Sequence, residues 1–364
     1  MDTYVRCFTG LEGLKELKPE WQALFAEAEN PSFYNDWRWH HAIQSHLCSG
    51  PVYYFAIYQK AQLVAVIPLT LSKRKRLGMT GRYLTFPYDT PIDVADCLVK
   101  RDFADSSLFN ALLRHLTRHP PEPWDILELS HFGDRSATHR LVGSNARAMA
   151  LGTAYVQQGP TDDLITPLSK KQVKNTRRHL KNAGAQYGLP HFQSITDKAL
   201  IDKAYETFLS VEAASWKGEH GTQSAIRLRP SANAFYLAVL SAFSETGSAL
   251  INLLSFNETP VAAQLGLRTG DQLSLLKIGF DERFRDVGPG GITLLHCLEA
   301  EQPRSHEVNL VTNPHWASRW HFSVEQKWSA TFFNKTMIAR ALHLVWRVQA
   351  ALKALGSRGR RNAA

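Results

Sequence analysis

The sequence predicts an α+β protein of two similar domains, each with a mixed, mostly antiparallel sheet flanked by helices. Three observations support this fold class. The chain has 364 residues, more than one ordinary hydrophobic core organises. Apolar runs joined by short polar turns alternate with segments of helical periodicity. The order of strand, turn and strand at 55–69 recurs at 252–267, which indicates an internal duplication.

The N-terminal domain is expected to span residues 1–160. Apolar residues recur in its first segment at three- and four-residue steps and predict a helix with one buried face. These residues are Leu14, Leu17, Trp21, Leu24 and Ala28. Asp36 precedes a second helical segment and suits its N-cap. Two β-rich runs follow, and the polar turn Gln59–Gln62 between them predicts a hairpin.

The C-terminal domain is expected to span residues 161–334. It begins with a predicted helix that starts at Pro167 and Ser169 and stops at Gly184. Basic side chains fall largely on one face of this helix, namely Lys170, Lys174, Arg177, Arg178 and Lys181. Apolar runs between 249 and 280 predict consecutive strands. Residues 335–364 form a predicted basic amphipathic helix and tail, which pack on the second domain or, alternatively, lie on an anionic membrane surface.

The composition limits the choice of partners and compartment. A formal charge of +9 favours anionic partners such as nucleic acid, a phosphorylated cofactor or lipid headgroups. Four widely spaced cysteines without a CxxC pattern indicate reduced thiols. We see no secretion signal and no spanning apolar run, so a cytoplasmic location is expected, with a peripheral position at the inner membrane surface as the alternative. The fifteen histidines lack metal-ligand spacing, so no metal is expected.

A glycine-rich junction follows the strand that ends near residue 280. It contains Gly288, Pro289, Gly290 and Gly291, directly before an amphipathic helix. The first amides of a helix lack intrahelical partners, and the helix dipole places positive charge at the same end. Glycine lets a phosphate approach the backbone, and proline suits the first helical position. The junction therefore predicts a diphosphate site, with a tight structural turn as the alternative.

Five segments occur in a fixed order along nearly the whole chain. They are FYNDWRWHHAI, AVIPLTLSKRKRLG, LSKKQVKNTRRHLK, ASWKGEHGT and KIGFDERFRDVGPGGITLLHCLEA. Together they resemble the CelD/BcsL-type acetyltransferases of bacterial polysaccharide biosynthesis, which are double-GNAT proteins related to the FemAB peptidyltransferases. The resemblance implies two GNAT-like domains and a co-substrate, acetyl-CoA or another acyl-CoA. It also implies that the C-terminal domain holds most of the cofactor site.

The resemblance implies a set of binding residues as well. They are Gly288, Pro289, Gly290, Gly291 and Arg285 for the cofactor, and Trp216, Lys217 and Arg319 for the acceptor. In the family an acidic residue usually starts the next strand and a lysine follows further along. Here Asn309 and Arg319 stand at those places, so the positive charge is retained but the carboxylate is absent.

Three side chains are candidates for catalysis, namely Asp281, Lys277 and Glu212. Asp281 is a possible base, or it caps the charged turn and pairs with Arg283 or Arg285. Lys277 interrupts an apolar strand and must face a cleft or solvent. Glu212 lies one helical turn before Trp216, where it acts as a base on the same face or is simply solvated. Trp216 itself stacks on an acceptor or anchors its loop.

These observations predict an acyltransferase that moves an acetyl or longer acyl group from CoA to a hydroxyl or amine. The resemblance implies a sugar or cell-envelope precursor as the acceptor, with a polysaccharide-synthesis complex as a further partner. A FemAB-like peptidyltransferase that uses aminoacyl-tRNA is the first alternative, because the basic helix could bind RNA phosphates. No alternation of basic and aromatic residues accompanies that helix, so nucleic acid is not expected. A non-catalytic scaffold is the second alternative.

Overall fold

The computed structural model describes residues 3–29, 31–76, 78–87, 94–103 and 105–348. Within them, thirteen strands form one mixed sheet. The strands before residue 160 are β1 (Thr3–Thr9), β2 (Val52–Gln59), β3 (Gln62–Arg76), β4 (Met79–Thr85), β5 (Leu98–Val99), β6 (Ile126–Gly133) and β7 (Arg147–Gln157). The later strands are β8 (Pro190–Ile195), β9 (Ala249–Phe256), β10 (Thr259–Thr269), β11 (Gln272–Phe280), β12 (Glu307–Asn309) and β13 (Ser323–Phe333).

Helices cover both faces of this sheet. They are α1 (Gly10–Ala26), α2 (Trp37–His46), α3 (Ser106–Arg118), α4 (Ala137–Val142), α5 (Lys170–Tyr187), α6 (Lys198–Ala213), α7 (Pro230–Ser244) and α8 (Pro289–Glu301). Residues 337–348 are also helical, and the rest of the predicted tail lies outside the described residues. In the part of the chain that is described, no helix has the length and apolar character that crossing a membrane requires.

The two halves repeat one arrangement, as the duplicated strand pattern predicts. The sheet order is β1-β2-β3-β4-β6-β13-β7-β12-β11-β10-β9-β8, with β5 beside β3. Among the strands of the described residues, only the pairs β4–β6 and β11–β12 are parallel, and they occupy equivalent places in the two halves. The predicted mixed, mostly antiparallel sheet is therefore confirmed, and the sheets of the two halves join edge to edge.

The join is made by a strand exchange, defined here as the crossed placement of β7 and β13. β13, from the second half of the chain, pairs with β6 of the first half. β7, from the first half, pairs with β12 of the second. β7 and β13 also pair with each other. The domain boundary near residue 160 directly follows β7 and remains a prediction, because the sheet is continuous across it.

Local signals placed the hairpins and helix starts correctly. Lys60 and Ala61 both have positive φ, as a two-residue turn between twisted antiparallel strands requires, and β2 pairs with β3 around them. Asp36 caps α2 by accepting from the amide of Arg38 at 2.8 Å. The predicted stop of α5 at Gly184 is wrong. The helix continues to Tyr187, and Gly188, with φ of 97°, ends it.

The helices of the two halves share one apolar core. α2 of the first half packs on α7 of the second, where the rings of Trp39 and Phe235 meet edge to face with centroids 4.9 Å apart. Phe33 joins the same cluster, which continues onto β9 and β10. Burial of this apolar surface stabilises the two halves as one unit.

His40 gives the apolar core of the first half, which contains Trp21 and Tyr54, a dependence on pH. Its ring is buried between Trp21 and Tyr54, with centroid distances of 5.0 and 6.0 Å. Burial is the largest effect and lowers the pKa of His40 from 6.5 to about 4, although the Tyr34 carbonyl and Asp36 oppose the shift in part. The unfolded chain therefore binds the extra proton between those two values. The stability contributed by neutral His40 is complete above pH 6.5 and is lost as pH falls toward 4.

We therefore expect the free energy of unfolding to fall by up to about 3 kcal/mol between pH 6.5 and 4 because of this histidine. Urea titrations at several pH values measure it. His40→Phe should flatten the pH profile in that interval, whereas His46→Phe, at the half-buried end of the same helix, should leave the profile unchanged. An unchanged profile in His40→Phe would contradict the assignment.

Candidate active site

The strands β11 and β12 part along their length and leave an open edge. They pair only where residues 272–274 meet 307–309. β11 then continues to Phe280 beside β10 alone. The pairing with β10 shifts so that Lys277 faces Leu265 while Leu275 faces Gly266, which makes Leu276 an extra, bulged residue. From Leu276 onward, one edge of β11 pairs with no strand among the described residues.

Lys217 lies at this open edge. Its Nζ donates to the carbonyl of Ile278 at 2.8 Å and to Oε1 of Glu212 at 3.0 Å. The amide and carbonyl of one strand residue point to the same edge, so the amide of Ile278 also faces the opening. Glu212 is only 1% exposed, and its second oxygen accepts from the amide of Ile226 at 2.9 Å. The interpretation of Glu212 as a solvated residue is wrong; it is a buried ion-pair partner.

The α6–α7 loop that carries Lys217 is tightly wound. The amide of Thr222 donates to the Trp216 carbonyl and the amide of Ala225 to the Lys217 carbonyl, both at 2.9 Å. Gly221 packs so closely that a Cβ there would lie 1.8 Å from the Trp216 oxygen. The Trp216 side chain is 54% exposed, so it does not anchor the loop. Its ring instead projects beside the open edge, within 6.0 Å of the Lys217 ammonium.

The glycine junction supplies fewer free amides than predicted. Gly288 has φ of 64°, and its carbonyl accepts from the amides of Gly291 and Ile292 at 3.1 and 3.2 Å. The Gly288 amide donates to Arg285 at 3.1 Å. Gly288 and Gly291 are therefore not open donors, because the left-handed Gly288 turns its carbonyl back onto the helix start. Among the described residues, the amide of Gly290 has no hydrogen-bond partner.

The surroundings of Gly290 are partly open and strongly basic. Gly288, Gly290 and Gly291 are half-buried, and Pro289 occupies the first position of α8 as predicted. Helix α5 packs against α8. Its exposed basic side chains are Lys170, Lys171, Lys174, Arg177, Arg178 and Lys181. Arg177 pairs with Glu299 at 3.1 Å. The unpaired amide thus lies at the positive end of one helix and beside a cationic face of another.

The charged stretch before the junction holds its own turn together. Asp281 caps the 3-10 turn Glu282–Val287 by accepting from the Arg283 amide at 3.0 Å, and it pairs with the Arg283 guanidinium at 2.7 Å. Burial alone would raise the pKa of Asp281, but Arg283 outweighs it and holds the pKa below its ordinary value. Asp281 thus caps the turn and forms a salt bridge with Arg283, as the alternative to a base role expects. Arg285 is exposed and pairs only loosely with Glu282, at 3.4 Å.

Lys277 and Arg319 lie in different surroundings. Lys277 is half-buried, with its ammonium 5.7 Å from the ring of Tyr236 on α7, so it faces the helices rather than bulk solvent. Arg319 is exposed in the 3-10 turn Ala317–Trp320. Trp320 of that turn lies 3.5 Å from the position of a Cβ on Gly291. This tryptophan borders the junction, and the sequence patterns did not single it out.

The sequence analysis also missed a polar cavity of about 410 Å³ between the two halves. In its wall, Arg135 donates to Glu307 at 2.8 Å and pairs with Glu325 at 3.3 Å. Burial alone would raise the pKa of Glu307, but Arg135 holds it below its ordinary value. Lys327, 2% exposed, donates to the Val311 carbonyl at 3.0 Å.

Alternation in β12 and β13 is the signal that could have revealed this cavity. Glu307 and Asn309 occupy alternate strand positions, as do Glu325 and Lys327, so each pair points to one face. Asn309, which stands where the family usually has a carboxylate, donates to Glu307 at 3.2 Å and accepts from the Val311 amide at 2.8 Å. Across the described residues, no three His, Cys, Asp or Glu side chains cluster as metal ligands.

Comparison with known proteins places this geometry in context. Residues 170–308 match the family described as "Acetyltransferase (GNAT) domain". No curated protein matches the chain.

Two solved structures share the fold across nearly the whole chain. The C-terminal domain of an Agrobacterium fabrum protein named as a lysylphosphatidylglycerol synthetase has a TM-score of 0.53 at 11% identity, and the match covers 91% of this chain and 96% of that one. L-PGS from Bacillus licheniformis has a TM-score of 0.53 at 12% identity over 90% and 96% of the two chains. The CelD/BcsL type remains a prediction. The second half of this chain is therefore similar to a GNAT acetyltransferase domain over residues 170–308, and its strand arrangement is repeated in the first half.

Proposed function

We propose that the protein transfers an acyl group from acyl-CoA to a hydroxyl or amine, with a sugar or cell-envelope precursor as the acceptor. The single observation that carries this proposal is the unpaired amide of Gly290 at the start of α8, next to the open edge of β11. A helix start with a free amide favours a diphosphate, and an open strand edge favours an extended amide-containing arm such as that of CoA.

The open edge also suits the thioester. In direct transfer the acceptor attacks the thioester carbonyl, a C–N or C–O bond forms, the C–S bond breaks, and the acceptor's proton ends on the CoA sulfur. Negative charge grows on the carbonyl oxygen during the attack and needs a fixed donor. The Ile278 amide faces the open edge of β11, and we assign it this role. The Lys217 ammonium donates to the carbonyl of the same residue. Arg285, which is exposed three residues before Gly288, would pair with the diphosphate.

A substitution at Gly290 tests the CoA site. Gly290→Asp places a carboxylate beside the unpaired amide, so we expect the affinity for CoA to fall roughly 10- to 100-fold by charge repulsion. Gly290→Ala is the matched control, because its Cβ would lie an ordinary 3.4 Å from Phe280 and should retain most of the binding. The rise of Tm with CoA and acetyl-CoA measures both. Equal stabilisation of Gly290→Asp and wild type would contradict the proposal.

A second function is favoured by the basic face of α5. Its exposed cations, next to the junction, suit the phosphates of an aminoacyl-tRNA donor in a FemAB-like peptidyl transfer. The same Tm measurement distinguishes the two functions when tRNA is added at low and high salt. Stabilisation by tRNA that disappears at high salt, without any effect of CoA, would favour this second function. No stabilisation by either ligand would favour a non-catalytic scaffold.

A further inference from the structure

We infer that the polar cavity between the two halves is the acceptor site. The acceptor it takes is compact, carries a primary ammonium group and several hydroxyls, and has no anionic group; a free amino sugar is an example. The inference rests on the proposed acyl transfer and deepens it by naming the acceptor class. It also selects an amine over a hydroxyl as the nucleophile. The volume of about 410 Å³ lies within the usual range of small-molecule sites.

The cavity lies where the acceptor must be. Ser274 and Asn309 line it, and they pair with each other at the point where β11 and β12 part. Ser274 is two residues before the bulged Leu276, about 7 Å along β11. An acceptor in the cavity therefore approaches the open edge from the paired end of β11, while the CoA diphosphate lies at the far end, beyond Phe280.

The charges that line the cavity favour a cation. Its carboxyl groups are Glu29, Asp96, Asp271, Glu307 and Glu325, its arginine and lysine side chains are Arg101, Arg135 and Lys327, and its histidines are His131 and His306. Carboxyl groups thus outnumber arginine and lysine side chains, five to three. A phosphate-bearing acceptor would be repelled by these walls, whereas an ammonium group would be attracted. This distinguishes the cavity from the basic surroundings of Gly290.

Two of the buried carboxylates are already saturated with donors. Glu307 accepts from Arg135, Gln157, Gln272 and Asn309. Asp96 accepts from the amides of Cys97, Ala137 and Thr138 and from the Thr138 hydroxyl. A carboxylate offers about four acceptor positions, so neither has room for a ligand.

Glu325 is the carboxylate with capacity to spare. Its side chain is 13% exposed, accepts two long bonds from Arg135 at 3.1 and 3.3 Å, and lies in hydrogen-bond contact with the carboxyl group of Asp134. Burial raises the pKa of Glu325, so a second cation next to it would stabilise the charged form. The same carboxylate can take the proton that an ammonium must release before it attacks the thioester. As the C–N bond forms, the nitrogen releases a second proton, which the departing CoA thiolate takes when the C–S bond breaks. The first proton leaves Glu325 for solvent, so the transfer releases one proton overall.

Uncharged polar side chains complete the wall. Ser32 is 3% exposed, and its hydroxyl forms a hydrogen bond with the side chain of Tyr34, which lines the same cavity. Gln272 and Ser274 add further polar groups to the same wall. These groups suit the hydroxyls of a sugar.

Equilibrium calorimetry of the full chain without CoA tests the inference. The probes are glucosamine, glucose and N-acetylglucosamine, which differ only at the amine position. We expect glucosamine to bind at least about tenfold more tightly than either neutral sugar, because only it carries the ammonium group. Glu325→Gln should abolish this preference, since it keeps the shape and removes the charge. Glu128→Gln, which breaks the surface pair with Arg74, is the matched control and should retain the preference.

The outcomes separate this inference from the proposed function. Equal binding of the three sugars, no binding of glucosamine, or an unchanged preference in Glu325→Gln would overturn the amine site. The proposed function would then still stand if CoA raises the Tm. A preference for glucosamine without any effect of CoA would support the cavity and sink the CoA-dependent transfer instead. Thermal unfolding of Glu325→Gln confirms that the variant is folded before it is titrated.

Discussion

Replacing Glu212 by alanine should lower the free energy of unfolding by about 3–5 kcal/mol, the usual cost of breaking a buried ion pair. The change leaves the half-buried Lys217 ammonium without its carboxylate and the Ile226 amide without an acceptor. Urea denaturation measures the loss. Because the pair is buried, the effect should persist at high salt.

A double variant separates the structural role of Glu212 from a catalytic one. Glu212→Leu combined with Lys217→Met removes both charges, so it should recover much of the stability that Glu212→Ala loses. Glu212→Gln keeps the shape and should be milder in stability than Glu212→Ala. If Glu212→Gln is as stable as wild type but has lost nearly all turnover, Glu212 is the base and the ion-pair assignment is wrong.

The second large effect is expected at Gly221. In Gly221→Ala the new Cβ would lie 1.8 Å from the Trp216 carbonyl oxygen, so the loop must move. Overpacking of this kind costs about 1–3 kcal/mol. The displacement should move Trp216 and Lys217 away from β11 and reduce acyl transfer at least about tenfold, since misplaced positioning groups are costly.

The matched control for Gly221→Ala is Gly50→Ala, where a Cβ meets nothing within 4 Å. It should leave stability and transfer unchanged. CoA binding should survive in Gly221→Ala, because Gly290 lies on a different segment. Measurement of CoA-dependent Tm beside the transfer rate therefore distinguishes a local loop effect from unfolding. A Gly221→Ala protein with wild-type transfer would contradict the role given to this loop.

Much of the fold is readable from local sequence because its signals are local. The turn at Lys60 and Ala61 and the cap at Asp36 depend on residues next to one another, and they lie where predicted. The strand exchange has no such signal. The end of β7 at Gln157 and the start of β13 at Ser323 are 166 positions apart in the sequence (323 − 157), and only the assembled sheet brings the two strands together. The end of α5 was misplaced because Gly184 is tolerated inside the helix, and only Gly188 takes up positive φ.

Only the parts of the candidate site that depend on neighbouring residues could be predicted from the sequence. The glycines and Pro289 predict a helix start at the right residue. The sequence does not show, however, that the amides of Gly288 and Gly291 already have hydrogen-bond acceptors. Asp281 and Glu212 look like possible bases in a linear sequence. Their partners Arg283 and Lys217 lie two and five residues away, yet the geometry of those pairs follows from the fold. The cavity draws on β6, β12 and β13, so no local window contains it.

The strand exchange also bears on how such a chain can arise. In each half, the last strand (β7 or β13) pairs in the sheet of the other half. A single repeat on its own would therefore have an unpaired edge at β6 or β12. Two separate copies could each fill the other's gap, giving a homodimer joined by reciprocal donation. In one polypeptide the covalent link turns that encounter into an intramolecular step, so completion of the sheet no longer depends on protein concentration. Fusion would then free one copy to keep the chemistry while the other diverges.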